Sequence, residues 1–288
     1  MGLSQERWPN LFVVGASKAG TTSLWRWLGA HPEIYMSPVK EPHFFSGFDP
    51  KLLPVVHGER EYLALFAGAR DEKLLGEASY SYLWKGPAAG RIKAKSPDAQ
   101  IVIALRDPVE RAYSSYWNQV RGFGEQRSFA EVAEEGVAAM AAGRYEDGGS
   151  IGPSFYAEAV EQYLELFGDA VHVVVFEELA ADARAEVRRL YGRLGVDPGL
   201  ADGLDFAPQN EFALPKGRLA ARLLSSGPAR KAARVLVPLP VRERIERAFL
   251  RGGPKPELDE ATRARLREVY APDVERLRGA LGRDLPWG

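Results

Sequence analysis

The sequence predicts an α/β fold, a parallel β-sheet flanked by helices with extra helices at the C-terminal end. Short apolar runs of strand length recur through most of the chain, each bounded by polar or glycine residues. Segments with apolar residues at helical spacing lie between them, the alternation expected of parallel strands joined by crossover helices. The first strand also gives way to the first helix through a glycine-containing loop, a recurrent unit of such sheets.

Leu11 to Val14 is a β-branched apolar run ending at Gly15, which reads as a buried strand. Ser23 to Ala30 places Leu24, Trp25, Trp27 and Leu28 at helical spacing. His31 and Pro32 end that helix, because the residue before proline avoids the αR region. Lys73 to Ala78 reads as a second short strand and Ile101 to Leu105 as a third. Asp107 supplies an N-cap before Pro108 at the first helical position, and Ala112, Tyr113, Tyr116 and Trp117 continue that helix with an aromatic face. Phe129 to Ala142 reads as a helix, Gly143 to Gly152 as an exposed loop, and Phe155 to Phe167 as an amphipathic helix. Val171 to Phe176 is a fourth strand, followed by a helix over Glu178 to Leu194 and a loop over 197–211. The part from about 216 to 288 is helical, and Leu266, Val269, Tyr270, Val274, Leu277 and Leu281 predict two packed helices there. With no repeat and no low-complexity linker, residues 1–288 are expected to form a single domain.

The 288 residues include 38 basic and 39 acidic side chains, a formal net charge of −1. No global positive field exists to hold nucleic acid or an anionic membrane. The absence of cysteine excludes disulfides, thiolate nucleophiles, zinc–thiolate sites and iron–sulfur clusters. Met1 to Asn10 is polar, without an apolar leader, and the longest apolar runs are strand-sized. A cytoplasmic protein without stable membrane insertion is therefore expected; nothing in the sequence sets its oligomeric state.

Gly15 to Ser23 lies between the first strand and the first helix, where free backbone N–H groups and the positive end of the helix dipole face an anion. The spacing of Gly15 and Gly20 mimics the nucleotide P-loop, so the fold is P-loop-like. The P-loop lysine position, however, holds Thr21, and the loop's lysine is Lys18, before the second glycine. An ordinary ATP or GTP site would have its lysine and its magnesium-binding hydroxyl out of register. A tight strand-to-helix turn with an exposed lysine would explain the loop without any ligand.

The loop resembles the 5′-phosphosulfate-binding loop of sulfotransferases that use 3′-phosphoadenosine-5′-phosphosulfate (PAPS). The stretch from Ile101 to Tyr116 is similar to the family's 3′-phosphate motif, a strand followed by R-[DN]-P-x-x-R-x-x-S. Arg106 and Ser114 match its two phosphate-gripping residues, and a guanidinium fork beside a hydroxyl suits a dianion. Without a ligand, Arg106 would pair with Asp107 or Glu110 and Ser114 would lie on a solvated helix face. Lys40 to Ser46 is similar to the E-x-H-F-F segment of the heparan-sulfate-type branch, which implies Glu41 as general base and His43 in support. A carboxylate in reach is chemically needed, because an unactivated hydroxyl is a poor nucleophile. That branch can place an aspartate where this chain has Ser46. Read without the family, Glu41 is a surface acid beside Lys40, and His43 is a buried ring among Phe44 and Phe45.

Lys216, Gly217 and Arg218 resemble the family's K-G-R loop over the nucleotide's 3′-phosphate. From Lys216 to Arg251 ten basic residues face two acidic ones, either a solvated basic face or a wall for an anion. Tyr80 and Lys85 fall where the heparan-sulfate-type enzymes line the acceptor cleft. The resemblance thus implies a PAPS-dependent sulfotransferase in which N–H groups of Ala19, Gly20, Thr21, Thr22 and Ser23 hold the 5′-phosphosulfate and Lys18 neutralises charge on the bridging oxygen. No metal is expected, since a sulfuryl group carries less charge than a phosphoryl group. The acceptor would be a hydroxyl or amine of a small molecule, saccharide or lipid. Two alternatives remain open on the residues: a P-loop kinase with a displaced lysine, and a non-catalytic nucleotide-binding module with no use for Glu41.

Overall fold

A computed structural model of the chain describes residues 7–47, 56–84, 86–207, 213–215, 250–253 and 255–287. Lys85, Lys216, Gly217 and Arg218, with most of the basic stretch after them, lie outside the described residues. The described residues fall into two compact units, one drawn from 1–107, 155–206 and 271–288, the other from 108–154 and 207–270.

The first unit is built on β1 (Leu11–Gly15), β2 (Ile34–Met36), β3 (Leu74–Ala78), β4 (Gln100–Leu105) and β5 (Val171–Val175). They form one parallel sheet in the order β2-β3-β1-β4-β5. Every residue of β1 and β3 is buried, as is β4 after Gln100, so β1 and β4 read as continuous apolar runs rather than alternating ones, and β3 does so but for Glu77. Each fully buried Val, Leu or Ile contributes about 1.5–3 kcal/mol relative to exposure. Around the sheet lie α1 (Thr21–Gly29), α2 (Glu59–Ala64) and α3 (Ala88–Lys95).

The second unit begins with α4 (Pro108–Phe123) and α5 (Phe129–Ala141), the latter opened by a Ser128–Glu131 capping box. α6 (Ala157–Phe167), α7 (Phe176–Ala181) and α8 (Ala183–Arg193) return the chain to the first unit. In the second unit β6 (Ala213–Pro215) pairs antiparallel with β7 (Leu250–Gly252). α9 (Glu260–Leu281) closes the chain. Among the described residues no helix is long and apolar enough to cross a membrane.

Three expectations change. The helix over Glu178 to Leu194 is two helices, because Asp182 leaves the helical region and caps α8 through Ala185 N–H. The two C-terminal helices are one: Leu266, Tyr270, Val274 and Leu277 bury a single stripe along α9, and the helix continues through Pro272. β2, α2 and α3 were not foreseen; a three-residue strand is too short to show a period.

β1 lies between β3 and β4, and the chain leaves it toward one side before it returns as β4 on the other. The carboxyl ends of β1 and β4 thus part at a topological switch point, where open α/β sheets bind ligands. Gly15 makes the turn there, with φ 141° and a Cβ position that would fall 2.8 Å from both Leu83 Cβ and the Tyr80 carbonyl oxygen. Gly15→Ala is expected to lower stability by about 1–3 kcal/mol, read as a lower thermal midpoint with unchanged secondary structure.

Candidate active site

The loop after β1 presents α1 without competition. Gly20 caps the helix at φ 90°, with no side-chain cap and no acidic residue in the first turn. Leu24 N–H donates to Gly20 O at 3.1 Å, so Thr21, Thr22 and Ser23 precede the helix's own ladder and offer their N–H groups outward. Ala19 N–H donates to Ala16 O at 3.3 Å, an internal bond within the loop. Phe176 and Leu179 back the loop: a Cβ on Gly20 would meet both at 3.3 Å.

Arg106, at the carboxyl end of β4, reaches the same loop. Its Nη1 donates to Lys18 O at 3.2 Å, and its guanidinium lies 4.4 Å from the centre of the Phe176 ring. Its Nε is buried and, among the described residues, has no hydrogen-bond partner. A buried, orphaned guanidinium N–H is expensive unless an acceptor joins it. Neighbouring contacts hold this arginine in place, since Tyr156 Oη donates to Arg106 O at 3.0 Å and Asp107 N–H to Glu177 Oε1 at 3.0 Å. Glu110, a partner the sequence offered to Arg106, pairs instead with Lys255 and Arg263 in the second unit.

Glu41 and His43 sit on the segment that crosses the end of β3, where Glu41 N–H donates to Ala78 O at 2.9 Å. Lys40 Nζ lies 2.6 Å from Glu41 Oε1, and His43 Nε2 lies 3.9 Å from Glu41 Oε2. The His43 side chain is 1% exposed and that of Glu41 21%, so a buried imidazole backs a carboxylate that solvent reaches. His43 Nδ1 meets Ser81 Oγ at 2.7 Å, and the ring packs edge-on against Tyr80 at 5.2 Å. Ser81 thus stands at the ring nitrogen of His43, while Ser46, where the heparan-sulfate-type branch can have an aspartate, donates from Oγ to the His43 carbonyl at 2.7 Å. Tyr80 joins the two halves of the site, with its carbonyl against Gly15 and its ring against His43.

Among the described residues, the non-glycine residues with positive φ are Lys18 (71°), Glu41 (64°) and His43 (54°). Side chains rarely adopt this left-handed conformation, and it persists where surrounding structure enforces it, a pattern concentrated at active sites. Ser114 lies half-buried on α4 in the second unit. Arg111, from the same motif, is fully buried there and donates from Nε to Ser154 Oγ at 2.6 Å. Sequence reasoning missed Ser81, Phe176 and the buried carboxyl of Glu77. The signal at hand was the glutamate inside an otherwise apolar β3.

The model of the family described as "Sulfotransferase family" matches residues 71–200. A crystal structure of a sulfotransferase from Alicyclobacillus acidocaldarius is 32% identical, with 97% of this chain and 98% of that one covered and a TM-score of 0.71. Human heparan sulfate glucosamine 3-O-sulfotransferase 6 is 26% identical over 291 residues, which cover 100% of this chain and 76% of the relative. The mouse sulfotransferase SULT7A1 complexed with PAP shares the fold, at 14% identity and a TM-score of 0.53 over 97% of this chain and 88% of that one.

An anion that joins the orphaned Arg106 Nε should stabilise the native chain. Inorganic pyrophosphate is expected to raise the thermal midpoint in a saturable way, by about 2.7 kcal/mol of stability at one hundred times its Kd. Arg106→Ala should weaken that binding roughly ten- to a hundredfold, as the loss of a charge-assisted hydrogen bond implies.

Proposed function

The chain belongs to the sulfotransferase family and catalyses sulfuryl transfer; from that premise we propose that its donor is PAPS and that Glu41 takes the proton from the acceptor. The donor supplies an activated sulfuryl group on a bisphosphate leaving group. Its 5′ side would be held by the N–H groups of Gly20 to Ser23, since Ala19 N–H already donates to Ala16 O, and its 3′-phosphate by Arg106 and Ser114, with Lys216, Gly217 and Arg218 as further candidates. The fit rests on Arg106, whose buried Nε has no partner among the described residues and lies in the guanidinium that bonds the Lys18 carbonyl. Lys18 brings a positive charge to the loop, where negative charge grows on the leaving oxygen.

The observation that supports the catalytic roles is the left-handed backbone shared by Lys18, Glu41 and His43. Glu41 accepts the proton from a hydroxyl or amine, and His43 orients its carboxylate from a buried position. Lys40 Nζ lies against the Glu41 carboxylate. The acceptor class we infer is a saccharide, small molecule or lipid bearing that hydroxyl or amine; the 3-O-sulfotransferase relative acts, by its name, on a glucosamine of heparan sulfate. The kinase alternative is not favoured, since the P-loop lysine position holds Thr21.

Three measurements test this. Adenosine 3′,5′-bisphosphate should bind far more tightly than AMP, and equal affinities would end the 3′-phosphate assignment. Glu41→Gln should lower turnover by roughly 10²–10⁴ while bisphosphate affinity stays near native, whereas Lys18→Ala should impair both; His43→Ala should cost less than Glu41→Gln. Transfer from labelled PAPS to a panel of glycans and phenols should proceed undiminished in EDTA.

A further inference from the structure

Glu77 stands on β3, opposite Phe12 of β1, and is fully buried. Three hydroxyls converge on it. Tyr62 Oη from α2 lies 2.8 Å from Oε1, Tyr82 Oη 2.6 Å from the same oxygen, and Ser79 Oγ 2.6 Å from Oε2. Two of these hydroxyls also accept backbone N–H groups of the active-site segment: Ser79 Oγ that of His43 at 3.1 Å, and Tyr82 Oη that of Phe45 at 3.2 Å. We propose that Glu77 is a positioning residue for sulfuryl transfer, whose carboxylate, through Ser79 and Tyr82, holds the His43 and Phe45 N–H groups and so fixes the segment that presents Glu41. The proposal rests on the reading of Glu41 as the proton acceptor.

Donor direction sets how these relays run. A hydroxyl has one hydrogen, and an ionised carboxylate only accepts. With Glu77 ionised, Ser79 and Tyr82 each give their hydrogen to the carboxylate and turn a lone pair to the N–H groups. Each relay then runs one way, and its bonds polarise one another. A proton on Glu77 adds a donor among three hydroxyls that already donate. One relay has to reverse, and a buried hydroxyl hydrogen loses its acceptor. Glutamine imposes the same conflict permanently, because its NH₂ edge faces either Ser79 or the tyrosine pair.

The titratable groups around Glu77 are Tyr62 from α2, Tyr82 from the turn after β3, and Tyr163 from α6, which donates to Tyr82 O at 2.9 Å. Burial pushes all three tyrosines well above their ordinary value. Among the described residues no cation pairs with Glu77. Burial pushes its carboxyl up from 4.5 to about 7, against the opposing hydrogen bonds from Ser79, Tyr82 and Tyr62. The folded value is the higher one, so the favourable contribution to stability is complete below about 4.5 and is lost as pH rises toward 7. The relay works in the opposite sense: it is complete above 7 and fails as pH falls.

Turnover of the native enzyme, measured with saturating PAPS and acceptor, should therefore rise through about pH 7 while its thermal midpoint declines over pH 5 to 7. Glu77→Gln should lower kcat by roughly ten- to a hundredfold, the scale of a small misplacement of a reacting group. The limb near pH 7 should vanish and adenosine bisphosphate affinity should stay near native. Ser79→Ala, which cuts the His43 relay, should lower kcat in the same direction and decides alone if Glu77→Gln fails to fold. Native kcat in either folded variant overturns the proposal, as does a lower thermal midpoint with the pH profile unmoved. Full activity of Glu41→Gln would instead overturn the base assignment, which separates the two failures.

Discussion

The way β1 leaves the sheet constrains everything placed around it. The strand has parallel partners on both sides, so its chain can only continue over the carboxyl edge, into the gap where neighbouring connections diverge. Gly15 makes that exit against the Tyr80 carbonyl and Leu83, with no room for a side chain. The loop then has to deliver N–H groups to α1 within five residues, and Gly20 completes the turn in the left-handed region. Arg106 and Tyr80 stand next to this loop because β4 and β3 are the strands that flank β1. The neighbours of the loop follow from strand order.

Left-handed backbone at Lys18, Glu41 and His43 costs on the order of 1–3 kcal/mol each, and this structure holds all three. The enclosure that offsets the cost is visible in the bonds. Lys18 O is tied to Arg106, Glu41 N–H to Ala78 O, and His43 through its N–H, its ring and its carbonyl to three different serines. Such a residue presents its side chain in a direction that ordinary backbone would not allow. The same rigidity suits a reaction whose acceleration comes from preorganised charge and positioning.

The elements that carry the candidate residues were legible in the sequence because they are short and local: a strand, a loop with two glycines, an arginine at a strand end, and a compact acid–histidine segment. What escaped is non-local. Ser81 supports His43 across 38 positions, and Phe176 reaches Arg106 and Gly20 only once β5 has joined the sheet beside β4. Where the related branch can have an aspartate this chain has Ser46, which bonds the His43 carbonyl, and the turn after β3 brings Ser81 to the ring. In the fold, the long parallel strands were legible from continuous apolar runs, whereas β2 has three residues and no period to read. The stripe on α9 was legible as well, though as two helices; one helix carries it through Pro272, with buried residues on either side.

The two arginines of the R-D-P-x-x-R segment show why a motif must be followed to its atoms. Arg111 is among the largest fully buried side chains, and its guanidinium donates to Ser154 Oγ and to the Ser150 carbonyl. Both of these acceptors lie in the second unit. Arg106 is held from several directions, by Tyr156 at its carbonyl, Phe176 at its face and Lys18 O at Nη1, yet its Nε keeps a buried hydrogen with no acceptor among the described residues. Five positions apart, one guanidinium donates to protein oxygens while the other keeps a buried Nε with no partner among the described residues. A charged group fixed so firmly with one buried donor unmet among the described residues has the geometry that an anionic acceptor would complete.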